Sequence, residues 1–271
     1  LPIRASTPEE EAAQHPWLQH FIFNQRGKYY TFGENSCDNY KISDRDMRQL
    51  KATYYGMISE VDSQIGRLLD HLKKLECYDD TLIIFTSDHG EQLGDHWMLS
   101  KYGYVDQSFH IPLIVRTPVT GLSQKNRGLI VDEFTESIDL MPTILEMIGV
   151  ELPNQCDGKS LLPFFHGGQP DNWRQEYHAE SDLRSPYEIE DAPPLGLEAK
   201  KCAVNIISDA RYKYVHFNGL PPLFFDRQKD PNEFHDLSND AAYQGVMLEY
   251  AQKLLTWRMD HDDPALTNLH L

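Results

Sequence analysis

Two adjacent side chains with metal-binding chemistry, Asp88 and His89, directly follow a strand-like run at residues 81–87. The run is apolar without alternation, which predicts a strand buried on both faces within a parallel sheet. Asp88 and His89 would then lie past its carboxyl end, where open α/β sheets bind their ligands. A carboxylate oxygen beside an imidazole nitrogen suits Zn²⁺ or Mn²⁺ better than Ca²⁺. The same residues also fit a polar turn in which Asp88 caps backbone amides.

The stretch around this pair contains several further residues at fixed spacings. They are Thr86-Ser87-Asp88-His89-Gly90-Glu91, Leu93-Gly94-Asp95-His96, Lys101, Gly103-Tyr104 and Ile111-Pro112-Leu113-Ile114-Val115. Together they resemble the C-terminal metal motif of the sulfatase and phosphonate monoester hydrolase family, in the alkaline phosphatase superfamily. The resemblance covers nearly the whole chain from about residue 44 onward, but only the C-terminal half of the family's pattern.

The resemblance implies roles for three residues. Asp88 and His89 would bind one divalent metal ion, with Mn²⁺, Zn²⁺ and Ca²⁺ left open. Lys101 would contact the non-bridging or leaving-group oxygens of a small anionic ester. One position departs from the pattern: His110 stands before Ile111-Pro112, where similar proteins often have Arg.

The family attacks sulfur or phosphorus with a formylglycine, which is made from Cys or Ser in a Cys/Ser-x-Pro/Ala-x-Arg motif. None of the four cysteines, at positions 37, 77, 156 and 202, stands in that context. The family's paired acidic ligands near the N-terminus are also absent from this sequence. We therefore expect the chain to be the C-terminal part of the enzyme, with formylglycine on a missing N-terminal half, and to be inactive alone.

Composition narrows the possible partners. The formal net charge of −17 argues against nucleic acid, which requires a basic surface. No run of 18 apolar residues is present, so no membrane span is predicted. The widely spaced cysteines predict free thiols and a cytoplasmic location. Similar proteins are often dimers or tetramers, which leads us to expect a homo-oligomer.

Periodicity predicts the elements that position the motif. Residues 44–76 carry apolar side chains at alternating gaps of three and four, which predicts a helix with one stripe against the core. Ser43 is its expected N-cap. Residues 111–116 predict a second buried strand, and a further helix is expected to start near Asp139 and end at Gly149. We interpret Asp139 as a helix cap rather than a metal ligand.

The chain changes character near residue 171. Strand-like runs at 176–181, 202–208, 211–217 and 223–226 precede an amphipathic helix at 241–258. This order predicts that residues 171–271 form a small antiparallel α+β subdomain, which resembles the C-terminal subdomain of sulfatases. By the same resemblance, residues 1–170 form the C-terminal part of an α/β domain, an alkaline-phosphatase-like sandwich with a mostly parallel central sheet flanked by helices. Residues 1–43 are expected to be loop-rich.

The leading hypothesis is metal-dependent hydrolysis of phosphonate, phosphate or sulfate monoesters. An arylsulfatase or choline-sulfatase-like enzyme is the alternative, and a non-catalytic metal-binding or assembly module is a second class. His96 is interpreted as a structural hydrogen-bonding residue. Tyr102 and Tyr104 are interpreted as core residues rather than as parts of the pocket entrance.

Overall fold

The computed structural model describes residues 2–24, 38–101, 103–119, 127–168, 170, 172–184 and 194–261. Cys37 and Tyr102 lie outside these ranges. The helices are α1 (Pro8–Ala12), α2 (Pro16–Asn24), α3 (Asp44–Lys74), α4 (Asp106–Phe109), α5 (Leu140–Met147), α6 (Leu162–Phe165) and α7 (Gln244–Asp260). The strands are β1 (Ile83–Thr86), β2 (Leu113–Arg116), β3 (Glu176–Asp182), β4 (Ala203–Asp209), β5 (Tyr212–Phe217) and β6 (Leu223–Asp226).

The long helix α3 starts at the predicted cap. Ser43 Oγ accepts a hydrogen bond from the Asp46 amide at 3.1 Å, which satisfies one of the free amides of the first turn. The expected contact of its whole apolar stripe with a core is wrong for this structure. Met47 and Leu50 are buried, whereas Met57, Val61 and Leu68 are more than half exposed and Ile65 and Leu72 are half-buried. The described part of the chain therefore leaves the stripe beyond Leu50 open or only partly covered.

The strand that precedes the metal motif lies in a two-stranded antiparallel ribbon. β1 pairs with β2, with Ile83 opposite Arg116 and Thr86 opposite Leu113. A mostly parallel central sheet is not present among the described residues. Burial of both faces is also not observed for either strand, since Phe85 of β1 is 37% exposed and Ile114 of β2 is 63% exposed. An apolar run predicts that a strand is buried, but it does not predict whether the neighbouring strand runs parallel or antiparallel to it.

The predicted C-terminal antiparallel sheet with a helix is confirmed. The strand order is β3-β4-β5-β6, and each neighbouring pair is antiparallel. Because side chains alternate between faces, Ile206 and Val215 face one core while Ile207 and Tyr214 face another. Tyr250 of α7 belongs to the second of these cores.

Helices α1 and α2 cover the other face of the C-terminal sheet. Trp17 and Leu18 of α2 are buried in the same cluster as Val204, Ile206 and Phe225. The division of the chain at residues 170 and 171 stays a prediction, and these two segments share one core. The loop-rich expectation for residues 1–43 missed α2, because the helix is stabilised by this long-range packing rather than by a local capping signal.

Among the residues that the structure describes, no helix combines the length and apolarity that a bilayer crossing requires.

A matched pair of leucine truncations tests the observed distribution of burial. We expect Leu223→Ala to lower the free energy of unfolding of this chain by about 2–5 kcal/mol, because Leu223 is fully buried in the shared core. Leu68→Ala on the open face of α3 should change it by less than about 0.5 kcal/mol. Urea unfolding followed by circular dichroism measures both values, and equal losses would contradict the observed packing.

Candidate active site

Asp88 and His89 form a close donor pair at the end of β1. Asp88 Oδ2 lies 3.4 Å from His89 Nε2. His89 Nδ1 lies 2.8 Å from the Gly90 carbonyl oxygen, which can only accept a hydrogen bond. When Nδ1 donates to this carbonyl in the neutral ring, Nε2 is the nitrogen that can bind a metal ion.

The two carboxylate oxygens of Asp88 have different surroundings. Its Oδ1 atom accepts a hydrogen bond from the His89 amide at 3.0 Å, as expected for a polar turn. Its Oδ2 atom points to the His89 ring, and the side chain is 82% exposed. Partial desolvation opposes ionisation, but His89, the local amides and Lys101 together hold the pKa of Asp88 below its usual range. The carboxylate is therefore ionised and accessible at neutral pH.

The three residues predicted for the site line one open cleft of about 1620 Å³. Asp88, His89 and Lys101 lie on its walls, and His110, which replaces the usual Arg, is also in the lining. Residues of β2, β3 and α7 form other parts of the same cleft.

The donors fit one side of a metal site. A carboxylate oxygen and an imidazole nitrogen suit a divalent ion such as Zn²⁺ or Mn²⁺. Within the described ranges, no group of three or more His, Cys, Asp or Glu side chains is placed to hold a metal. Since such ions take at least four ligands, Asp88 and His89 make up only part of a coordination sphere.

The loop between the metal pair and Lys101 has an unusual backbone. Leu93, His96, Trp97 and Ser100 all adopt positive φ angles, between 48° and 73°. Glu91 Oε1 accepts hydrogen bonds from the Leu93 amide at 3.2 Å and the Ser100 amide at 2.6 Å. Strained residues of this kind persist only where the surroundings hold them, and they concentrate at functional sites.

His96 and Tyr104 both have structural positions. The ring of His96 is buried against the Glu11 carboxylate, whose second oxygen accepts from the Ala5 amide at 3.1 Å. Tyr104 is 1% exposed and stacks on Phe225 at 5.7 Å between ring centroids. Both interpretations from the sequence are confirmed, and neither residue is exposed to the cleft.

Asp139 is fully buried and has a capping role that differs in detail from the prediction. It is the N-cap residue of α5, but its side chain makes no capping hydrogen bond to that helix. Its Oδ2 atom instead accepts from the amide of Glu136, which is the N-cap of the turn that leads into α5. Its Oδ1 atom accepts from the Lys159 amide at 2.8 Å and from Arg174 Nη2 at 2.7 Å. These donors occupy the carboxylate, as expected for a structural residue rather than a metal ligand.

A second polar cluster in the cleft was not predicted from the sequence. His178 of β3 stacks on Trp257 of α7 at 4.6 Å, and His261 stacks on the same ring at 4.5 Å. Burial, followed by the charges of His261 and Arg174, lowers the pKa of His178 to about 4. These residues are separated by about eighty positions, and no local pattern in the sequence indicates that they meet.

Comparison with solved structures gives the class of protein. The chain superimposes on the phosphonate monoester hydrolase of Agrobacterium radiobacter with a TM-score of 0.90 and 41% identity, covering 98% of this chain and 52% of that one. The corresponding enzyme from Silicibacter pomeroyi gives a TM-score of 0.87 at 37% identity, covering 97% and 51% of the two chains. The fold is therefore alkaline-phosphatase-like.

Sequence comparison gives the family. The pattern of the family described as Sulfatase matches residues 9–150, and that described as N-sulphoglucosamine sulphohydrolase, C-terminal, matches residues 94–260. The chain belongs to the sulfatase and phosphonate monoester hydrolase family of the alkaline phosphatase superfamily, whose members are hydrolases.

Two curated relatives show the range of this similarity. The chain is 47% identical over 268 residues to the multifunctional alkaline phosphatase superfamily protein PehA of Trinickia caryophylli, covering 98% of this chain and 51% of the relative. It is 28% identical over 234 residues to an arylsulfatase of Clostridium perfringens, covering 86% and 45%. The chain thus spans about half the length of the relatives it matches.

Gly90 allows the metal turn to contact α4 directly. A Cβ atom at this position would collide with the backbone carbonyl of Gln107. We expect Gly90→Ala to lower the free energy of unfolding by about 1–3 kcal/mol because this contact cannot relax without moving backbone. The control Gly66→Ala lies in open space on α3 and should raise it by about 0.5–1 kcal/mol. Urea unfolding of both variants checks the difference in sign, and a stabilising Gly90→Ala would contradict the packing.

His178 should make stability depend on pH. Its folded pKa of about 4 lies below the ordinary value of 6.5, so the unfolded chain binds the proton more readily. The contribution of neutral His178 is therefore complete above about pH 6.5 and is lost as the pH falls to about 4.

His178→Phe keeps an aromatic ring against Trp257 but removes this titration. We expect the variant to lose less of its free energy of unfolding between pH 7 and pH 5 than the unchanged chain, as measured by urea unfolding. Parallel losses in the two proteins would show that His178 does not titrate as described.

Proposed function

We propose that this chain supplies the metal-binding and cationic part of an active site that hydrolyses phosphonate, phosphate or sulfate monoesters. The observation that carries the proposal is the close pair of Asp88 Oδ2 and His89 Nε2 in the same cleft as Lys101. The names of the relatives, which include phosphonate monoester hydrolases and an arylsulfatase, support this reaction class.

Each residue of the chain has a distinct task in this proposal. A divalent metal, when bound, supplies positive charge that polarises the ester oxygens. Asp88 Oδ2 and His89 Nε2 would hold it, and the contact of His89 Nδ1 with the Gly90 carbonyl would orient the ring for that task. Lys101 donates hydrogen bonds to the oxygens on which negative charge grows in the transition state.

We propose that the nucleophile, a formylglycine, lies on an N-terminal half of the fold and that this chain is inactive without it. Two observations support a missing cover: Leu68 on α3 and Ile114 on β2 are more than half exposed, and Ile130 is 82% exposed. Apolar surface of this extent normally marks an interface. The incomplete set of metal donors has the same explanation, because the remaining ligands would come from that half.

The protein has a net charge of −17, so the electrostatic potential within the cleft must be locally positive to favour an anionic substrate. The metal ion together with Lys101 would provide it, since a bound cation dominates the potential in its own site.

We further propose that the protein is a homo-oligomer without nucleic-acid or membrane partners. A cytoplasmic location is supported by the free thiols of Cys77, Cys156 and Cys202.

Two other functions have specific support. An arylsulfatase or choline-sulfatase-like activity is favoured by relatives that carry those names, at 28% and 30% identity. A non-catalytic metal-binding or assembly module is favoured by the incomplete donor set among the described residues.

An assay with chromogenic sulfate, phosphate and phosphonate monoesters separates the three possibilities. The esters are offered to this chain and to a protein that also carries the N-terminal half. Metal binding without turnover by the longer protein would support the module.

Substitution of the metal pair and the lysine tests the assigned roles in the longer protein. We expect Asp88→Ala to abolish metal-dependent turnover, and Lys101→Met to lower kcat by about 10²–10³-fold while leaving the metal content unchanged. Asp70→Ala and Lys73→Met, which break an exposed pair on α3, are matched controls and should retain activity. Elemental analysis and steady-state kinetics measure both quantities. Normal metal content and turnover in Asp88→Ala would refute the ligand assignment.

A further inference from the structure

Three side chains of the C-terminal sheet region converge on Asp106, the first residue of α4. Lys213 Nζ on β5 donates to Asp106 Oδ1 at 2.7 Å, and the Tyr177 hydroxyl on β3 donates to the same oxygen at 3.2 Å. Arg227, which follows β6, donates through Nη2 to the other carboxylate oxygen, Oδ2. Both oxygens of Asp106 are thus occupied, although its side chain lines the cleft and is 33% exposed.

This arrangement, which we name the Asp106 clamp (Asp106, Tyr177, Lys213 and Arg227), is anchored in the interior. Lys213 is completely buried, and its ammonium also lies 2.5 Å from Glu233, itself 4% exposed. Burial opposes its charge, but Glu233 and the other groups around it, Asp106 among them, raise the pKa of Lys213, which keeps it protonated. Charges paired in this way hold a defined geometry, because moving one leaves the others unpaired in a medium of low dielectric constant.

The other side of α4 contacts the metal turn. The Gly90 amide donates to the Ser108 carbonyl at 2.9 Å, and Gln92 Nε2 lies 3.1 Å from Ser108 Oγ. The absent side chain of Gly90 lets this backbone rest on Gln107. Helix α4 is therefore held between the clamp on one side and the turn that carries Asp88 and His89 on the other.

The clamp also reaches the segment that carries the catalytic lysine. Lys213 Nζ donates a second hydrogen bond, at 3.1 Å, to the carbonyl of Tyr104, three residues after Lys101. Tyr104 itself is buried against Trp17 and Phe225. A single buried ammonium thus restrains two points, Tyr104 and Asp106, on the short path from Lys101 into α4.

We propose that the Asp106 clamp positions the metal pair and Lys101, so that the C-terminal sheet is a working part of the active site. Its members are positioning residues, because they act through α4 and the Tyr104 carbonyl. This inference rests on the proposed function for its catalytic consequence, but the mechanical coupling between the sheet and the metal turn is a separate property of the chain.

The test uses Asp106→Asn, which keeps the shape of the side chain and removes its charge while Lys213 and Glu233 remain paired. Lys253→Met is the matched control: it breaks the ion pair, at 2.9 Å, between Lys253 of α7 and Glu176 of β3. Amide hydrogen exchange of this chain, followed by mass spectrometry, reports on local opening. We expect exchange at residues 88–94 and 103–110 to accelerate at least about tenfold in Asp106→Asn, since a hydrogen bond to a charged group is worth that factor or more.

The outcomes separate positioning from general stability. The proposal requires that α7 keeps its protection in Asp106→Asn and that Lys253→Met leaves residues 88–94 unchanged. Tyr177→Phe, which removes one hydrogen bond and leaves the charges in place, should accelerate the same segments by a smaller factor. Unchanged exchange at residues 88–94 in Asp106→Asn, or an equal acceleration throughout α7, would overturn the proposal.

The consequence for metal binding is measured in the longer protein by Mn²⁺ titration. We expect Asp106→Asn to weaken Mn²⁺ binding by about 10–100-fold, the usual effect of disturbing groups that orient metal ligands. Mn²⁺ affinity equal to that of the unchanged protein would overturn the positioning role. Failure of the unchanged protein to hydrolyse any ester would instead refute the proposed function, because neither the exchange nor the titration depends on turnover.

Discussion

A buried ammonium group must keep counter-charges within hydrogen-bonding distance, and Lys213 imposes this requirement on two distant parts of the chain. Its carboxylate partners are Glu233, in the C-terminal segment, and Asp106, at the start of α4, 107 residues earlier in the sequence. Since unpaired charges in a protein interior are strongly destabilising, α4 and the sheet cannot separate without a large loss of free energy. The same ammonium donates to the Tyr104 carbonyl, and the Gly90 amide donates to Ser108 of α4. The pairing therefore connects the C-terminal sheet to the segments that carry Lys101 and the metal pair.

The described residues form one region whose apolar side chains are covered and another whose apolar side chains are exposed. Around the C-terminal sheet both faces are covered, by α2 on one side and α7 on the other. Around the metal turn, β2 and the distal part of α3 keep apolar side chains exposed. The residues proposed for chemistry lie at the border between these regions, where a rigid core supports them and an open cleft remains for further ligands.

Local patterns predicted much of the secondary structure. The stripe and Ser43 cap of α3 and the β-strands from Glu176 to Asp226 were recognised because hydrophobic periodicity and capping act within a few residues. The same patterns failed for α2, which depends on contacts of Trp17 with a distant sheet, and for the pairing direction of β1. Burial can be inferred from composition, but the neighbour that provides it cannot.

The sequence by itself determined the family, the candidate metal pair Asp88 and His89, and the candidate cation Lys101, because their spacing lies within one short stretch of chain. Only the tertiary structure revealed the Asp106 clamp and the stack of His178 on Trp257. Their members come from separate strands and helices and have no common spacing. Such groups meet because sheet register and helix packing bring them together, and these long-range contacts are properties of the folded chain as a whole.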